Sequence, residues 1–146
     1  MEALIRDAHI DDSEAIASLA EQLGYSVSVE EVALRLRRLS LRPDQRVIVA
    51  ETEKAEVVGW TTFEITEHIH SAPYVEVSGF VVEQRFRGKG VGKKMMEEVE
   101  RWSRERGFLT IRLHANVTRK PAHLFYQAIG FEKIKEQYSF QKKIRK

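Results

Sequence analysis

Three glycines, Gly88, Gly90 and Gly92, alternate with other residues in the run Arg87-Gly88-Lys89-Gly90-Val91-Gly92. The run lies between an apolar segment, Phe80-Val81-Val82, and a helical pattern that begins near Val91. A glycine-rich turn from strand to helix is a device for holding phosphate. Glycine has no Cβ, so the backbone can come close to an anion. The first amides of a helix lack internal partners and stand at the positive end of its dipole. Arg87, Lys89, Lys93 and Lys94 bring positive charge to the same place. The dinucleotide pattern G-x-G-x-x-G is not met, because Lys93 stands where its third glycine is needed. The P-loop pattern is not met either, since no Ser or Thr follows a Gly-Lys pair. What remains is Arg87-x-x-Gly90-x-Gly92. A tight strand-to-helix connection would also use glycine, but it would not call for four basic residues.

The elements that must position this turn can be read from periodicity. Ala3 to Asp7 is a short strand. Asp11-Asp12-Ser13 offers an N-cap to a helix carrying Ile16, Leu19, Ala20 and Leu23, which Gly24 stops. Ser28 and Glu31 form a capping box for a second helix with Val32, Leu36 and Leu39 on one face. Arg46 to Glu51 and Val57 to Thr66 read as strands, His68 to Pro73 as a loop, and Tyr74 to Val82 as a strand. Gly79 inside that last strand predicts a bulge or a close backbone approach. A helix follows from about Val91 to Arg106, burying Met95, Met96, Val99 and Trp102. Phe108 to His114 is a strand, Arg119 to Ile129 a helix with Ala122, Phe125, Tyr126 and Ile129 on one face, and Phe131 to Ile144 carries one or two final strands. The unit from Val75 to His114 should pair its strands in parallel, whereas the earlier strands are joined by short turns. This predicts an α/β fold in a single domain, 1–146, with a central mixed, twisted β-sheet flanked by about four helices.

Composition narrows the class. The chain has 146 residues, 42% of them hydrophobic and 32% charged, with a formal net charge of +2. That charge is too small to point to nucleic acid. There is no cysteine, which excludes disulfides, thiolate catalysis and Cys-ligated zinc, and fits a cytoplasmic protein. No apolar stretch approaches a membrane span, and the start of the chain is strand-like, not a signal peptide.

The spacing Arg87-x-x-Gly90-x-Gly92 resembles the pyrophosphate-binding motif of the GNAT superfamily of N-acyltransferases. Phe80-Val81-Val82 resembles that family's cofactor-binding strand, and Ala122 to Phe131 resembles its second cofactor motif, A-x-x-x-Y-x-x-x-G-F. The order of elements is also similar. The resemblance implies that acetyl-CoA is the co-substrate and that no metal is needed. The amides of Gly88, Lys89, Gly90, Val91, Gly92 and Lys93, with Arg87, would cradle the pyrophosphate. Phe80, Val81 and Val82 would pair with the amides of the pantetheine arm as an added strand would. A bulge at Gly79 would splay this strand from its neighbour and open that edge. The family often has Asn where this chain has Arg119, so Arg119 is read instead as a contact to a cofactor phosphate. Pro121 beside it is unusual but tolerated in a first helical turn.

The resemblance also implies roles in catalysis. Tyr126 would protonate the departing thiolate; its competing role is a core residue of its helix. Glu76, where the histone-acetyltransferase branch has its glutamate, and His114, where ribosomal-protein acetyltransferases have theirs, compete as the base that deprotonates the amine. Ordered water is a third option. Tyr25, between the first two helices, with Trp60 and Phe63, would line the acceptor pocket, although Trp60 and Phe63 also fit a core. The acceptor is a small-molecule or peptide amine, and the same fold can form homodimers. Two other readings stay open: a non-catalytic acyl-CoA-binding sensor, and a nucleic-acid module using the basic turn and the Lys142–Lys146 tail. His68-x-His70 could share a metal, but it lacks acidic partners and reads as a solvated loop.

Overall fold

The computed structural model describes residues 2–145. These form two compact units, the first ending at His114 and the second beginning at Ala115. In the first unit, one five-stranded sheet runs in the order β1 (Ala3–Asp7), β2 (Gln45–Thr52), β3 (Val57–His68), β4 (Ser71–Val82) and β5 (Ile111–Leu113). The strands β1 to β4 are antiparallel neighbours, and β5 joins β4 in parallel, so the sheet is mixed as expected. The crossover between β4 and β5 is α3 (Val91–Glu105). Helices α1 (Ser13–Glu21) and α2 (Val29–Leu39) lie between β1 and β2 in sequence. Among the described residues no helix is long and apolar enough to cross a membrane.

Strand alternation sends successive side chains to opposite faces. Phe63 is fully buried and meets Trp102 of α3 edge-on, with ring centroids 5.1 Å apart. Met95, Met96, Val99 and Trp102 are all buried, which is the stripe the sequence predicts for α3. The opposite face is covered by α1 and α2: Ile16, Ala17, Val32 and Val49 form a cluster against which Leu36 and Trp60 pack. Phe63 therefore belongs to the core on the α3 side and not to an acceptor pocket; only one of the two apolar β3 residues expected there faces α1 and α2.

Ion pairs tie the layers together. Arg6 of β1 reaches Asp12 at 2.9 Å and Glu51 of β2 at 2.7 Å, fixing the chain's entry into α1. Ser28 and Glu31 form the expected capping box at the start of α2. Arg46 of β2 reaches Glu98 of α3 at 2.6 Å, and Arg101 bonds the same carboxylate.

Three expectations fail in instructive ways. The segment His68 to Pro73 is not a loop: β3 extends to His68 and β4 starts at Ser71, leaving a tight hairpin. Pro73 is tolerated there because the β3–β4 register slips between Thr66 and His68, so its missing N–H falls at an irregularity. The expected strand Phe108–His114 shrinks to Ile111–Leu113, paired only with Val75–Val77. The second unit contains α4 (Lys120–Ala128), with a proline in its first turn, but residues 131–145 form no strand. Apolar residues in that stretch fall at 131, 134, 138, 140 and 144, so the period-2 alternation of a ladder holds only across Tyr138 and Phe140.

Two measurements test this architecture. Phe63→Ala should lower unfolding free energy by about 3–5 kcal/mol in urea titration, with an unchanged far-UV spectrum at zero denaturant. Arg101, aided by Arg46, holds the Glu98 carboxyl down at about 2 against an ordinary 4.5. A depressed carboxyl contributes its stability in full above the unfolded value and loses it as pH falls toward the folded one. Glu98→Gln should therefore flatten the pH dependence of the thermal midpoint between these two values and leave its slope above pH 5 unchanged.

Candidate active site

Between β4 and α3 the chain makes a short 3-10 turn, Gln84–Phe86, and then the glycine run. Gly88 and Gly90 have φ of 78° and 86°, in the left-handed region where an L side chain is disfavoured by about 1–2 kcal/mol. Gly90 is the N-cap of α3 and no side chain caps this end. The first-turn amides of a 15-residue helix are thus left for an external acceptor. Val91 is 2% exposed, so its side chain anchors the turn in the core while its backbone faces the cradle. Arg87 Nε donates to the Val82 carbonyl at 3.0 Å, and Lys89 Nζ lies 5.5 Å from the Phe86 ring centroid. Lys93 is exposed in the first turn. Lys94 departs from expectation: it turns to β1, donating to the Ala3 carbonyl, with Glu2 3.7 Å away. The remaining basic side chains and the helix end suit an anion such as a pyrophosphate.

The strand leading into this cradle is bulged. Thr62 pairs with Gly79 and Phe63 with Val77, so Ser78 is the extra residue. A Cβ on Gly79 would lie 2.7 Å from the Trp60 ring, so only bare backbone passes the indole. Thr61 Oγ1 donates to the Gly79 carbonyl at 2.6 Å and pins the bulge. On the other side, the ladder to β5 ends at Val77. Phe80, Val81 and Val82 continue β4 past that point to the glycine run; the bulge does not splay them from β3, whose Thr61, Trp60 and Gly59 stay in register with them, and the edge left open is the one toward β5.

Glu76 and His114, rivals in the sequence, face one another: Nε2 of His114 is 3.6 Å from Oε1 of Glu76. Val75 and Val77 bury on one face while Glu76 projects from the other, its side chain 24% exposed. The parallel register sets Leu113 beside Val77, which brings His114 at the end of β5 to the Glu76 carboxylate. No local sequence signal gives that register, so the pairing was not foreseeable as a contact. On the same face, a cavity of about 320 Å³ opens between α1, α2 and the β2–β3 surface. Tyr25 and Trp60 line it, together with Val32, Leu36, Val47 and Thr62. Trp60 Nε1 is buried, with no hydrogen-bond partner among the described residues. His68 and His70 stack at 5.2 Å, and among the described residues no group of three or more His, Asp or Glu is placed to hold a metal.

In the second unit, Arg119 is the N-cap of α4 and its carbonyl accepts from the His123 amide at 3.2 Å. Tyr126 packs edge-on against Phe125 and Phe131, with centroids 5.5 Å and 5.9 Å away. Burial lifts the Tyr126 phenol above its usual value, and the Arg119 charge opposes this only in part. The phenol therefore stays protonated at neutral pH and can give a proton.

Comparison with known proteins agrees with this geometry. The sequence profile of the acetyltransferase (GNAT) family matches residues 13–131. An aminoalkylphosphonate N-acetyltransferase of Salmonella typhimurium is 26% identical over 134 residues, covering 88% of this chain and 84% of the relative. A type 1 aminoglycoside N(6')-acetyltransferase of Stenotrophomonas maltophilia is 25% identical over 141 residues, covering 94% and 91%. A solved aminoglycoside N-acetyltransferase, AAC(6')-Iy in complex with CoA, superposes with a TM-score of 0.86 at 20% identity, over 98% of this chain and 96% of that one, and shares the fold. With the profile spanning residues 13–131, the chain belongs to the acetyltransferase (GNAT) family.

Proposed function

We propose that residues 1–146 form one N-acetyltransferase domain that moves an acetyl group from acetyl-CoA to a primary amine by direct attack in a ternary complex. The observation that carries this reading is the continuity of the part of β4 that extends beyond its ladder to β5, Phe80 to Val82, still paired with β3, with an uncapped α3 N-terminus. Acetyl-CoA is the co-substrate and supplies an acetyl thioester. Gly88 to Lys93 and Arg87 hold its pyrophosphate, Arg119 meets a further phosphate, and Phe80 to Val82 pair with the amides of its arm.

An amine of pKa ~10.4 is neutral in only about one molecule in 2,500 at pH 7. Glu76, coupled to His114, takes its proton; the lone pair then attacks the thioester carbonyl carbon. The C–S bond breaks, Tyr126 gives its phenolic proton to the leaving sulfur, the nitrogen sheds its second proton to solvent as the amide forms, and solvent reprotonates the phenolate. The chain has no cysteine that could carry the acetyl group, so no acyl-enzyme thioester forms. Tyr25 contacts the acceptor. The two relatives named for acceptors differ in the charge those acceptors carry, one a phosphonate and one an amino sugar, so their names leave this chain's acceptor open.

Release of free CoA with a panel of amines tests the reading. Tyr126→Phe should lower kcat by roughly 100-fold with little change in KM for acetyl-CoA. Full retention of kcat removes Tyr126 as donor. Glu76→Gln should lower kcat/KM by about 100-fold at pH 7, and the loss should shrink as pH approaches the amine's own pKa, where no base is needed. Gly88→Val, which forces a branched side chain to a φ of 78°, should weaken CoA binding by about tenfold or more in calorimetry.

A further inference from the structure

The acceptor cavity has a one-sided charge. Its walls are apolar, among them Ile16, Val32, Leu36, Val47 and the Trp60 indole. Among the described residues, Arg35 of α2 is the one charged residue lining it, and no carboxylate does. A pocket for a polycationic amine needs acidic groups to offset the cost of desolvating several ammonium ions. This pocket offers a guanidinium.

The acid groups of the same sheet face lie farther along it. Trp60, Thr62 and Glu64 occupy alternate positions on β3, and Glu64 is the register partner of Glu76. Two such steps span about 13 Å along a strand. One end of this face carries the carboxylates that can take an amine's proton; the other is apolar and ends on Arg35. Glu64 itself is already paired with Arg42 at 3.0 Å, which leaves Glu76 as the base.

Arg35 can accept an anionic ligand. Its guanidinium lies 3.6 Å from Glu31, beyond hydrogen-bond length, with the Arg35 side chain 58% exposed. The other oxygen of Glu31 accepts from the Ser28 amide at 2.9 Å in the capping box, so Glu31 is held by the helix start and not by Arg35. Exposed ion pairs of this kind exchange readily. A guanidinium presents two parallel N–H donors to a carboxylate or phosphonate.

Resting on the acetyl-transfer reading above, we infer that the acceptor is a small amine that also carries an acid: a primary amine joined through a short apolar body to a carboxylate or phosphonate, with the acid held by Arg35 and the amine presented to Glu76.

The test compares acceptors of one chain length: an amino carboxylate, an aminoalkylphosphonate, the neutral amino amide and the diamine, with a polycationic aminoglycoside beside them. CoA release gives kcat/KM, and tryptophan fluorescence with CoA present gives binding independently of turnover. The chain has two tryptophans, and Trp102 of α3 is 4% exposed on the other face of the sheet, so the ligand-dependent signal belongs to Trp60, with Trp60→Phe as its control. The acid-bearing amines should exceed the amide by about tenfold or more in kcat/KM. Arg35→Ala should bring that ratio to near one, and Arg35→Glu should turn the preference toward the diamine. A wild-type protein that uses the amide, the diamine or the aminoglycoside as well as the acids overturns the inference, as does a ratio that survives Arg35→Ala. If acids bind in an Arg35-dependent way but no amine is acetylated, acid recognition stands and the acetyl-transfer reading falls. If no acid binds, acid recognition falls, whatever the turnover of other amines.

Discussion

A side chain at position 79 would stand 2.7 Å from the Trp60 ring, so β4 must pass the indole as bare backbone. Much of the site follows from that one contact. The strand takes up an extra residue, Ser78, to get past, and the pairing with β3 slips at that point. The parallel ladder to β5 ends at Val77, one residue before the slip. Upstream of the bulge β4 is an ordinary interior strand that brings Glu76 to His114. Downstream it runs beyond the ladder toward the glycine turn. The same indole forms a wall of the cavity on the α1–α2 side. Trp60 therefore couples the shape of the cavity to the course of β4.

Helix α3 carries the other half of the design. Its buried stripe closes one face of the sheet, Glu98 ties it to Arg46 of β2, and its first residues, Val91 and Gly92, are buried while the turn before them is exposed. A phosphate-binding turn has to hold its amides in one arrangement before the anion arrives, since every degree of freedom frozen on binding weakens affinity. Placing the turn at the start of a helix anchored by the buried Val91, Met95, Met96, Val99 and Trp102 meets that need.

Local chemistry was the legible part of this sequence. The Ser28–Glu31 box, the α3 stripe of Met95, Met96, Val99 and Trp102, the strand-to-helix glycine turn and the bulge at Gly79 each depend on residues close together in the chain, and each was visible there. Long-range register was not. Glu76 and His114 read as alternatives because nothing near either residue tells which β4 residue pairs with Leu113. Phe63 and Trp60 look equivalent in sequence, three positions apart on one strand, yet that odd spacing sends them to opposite faces. Lys94 counted toward the basic turn until β1 drew it away. The stretch from 131 to 145 lacks a sustained alternation, so expecting strands there leaned on the order of elements more than on its residues.

The start of α3, where no side chain caps the helix, ties ligand binding to folding. A helix whose first amides await an acceptor is incomplete as a piece of secondary structure, and the anion that fills the cradle completes it. Any ligand that binds the folded chain alone raises its stability by mass action, about 2.7 kcal/mol when it is present at a hundred times its dissociation constant. A donor held at this turn would be a reactant and also a folding ligand, and the folded state would gain stability as the donor's concentration rises.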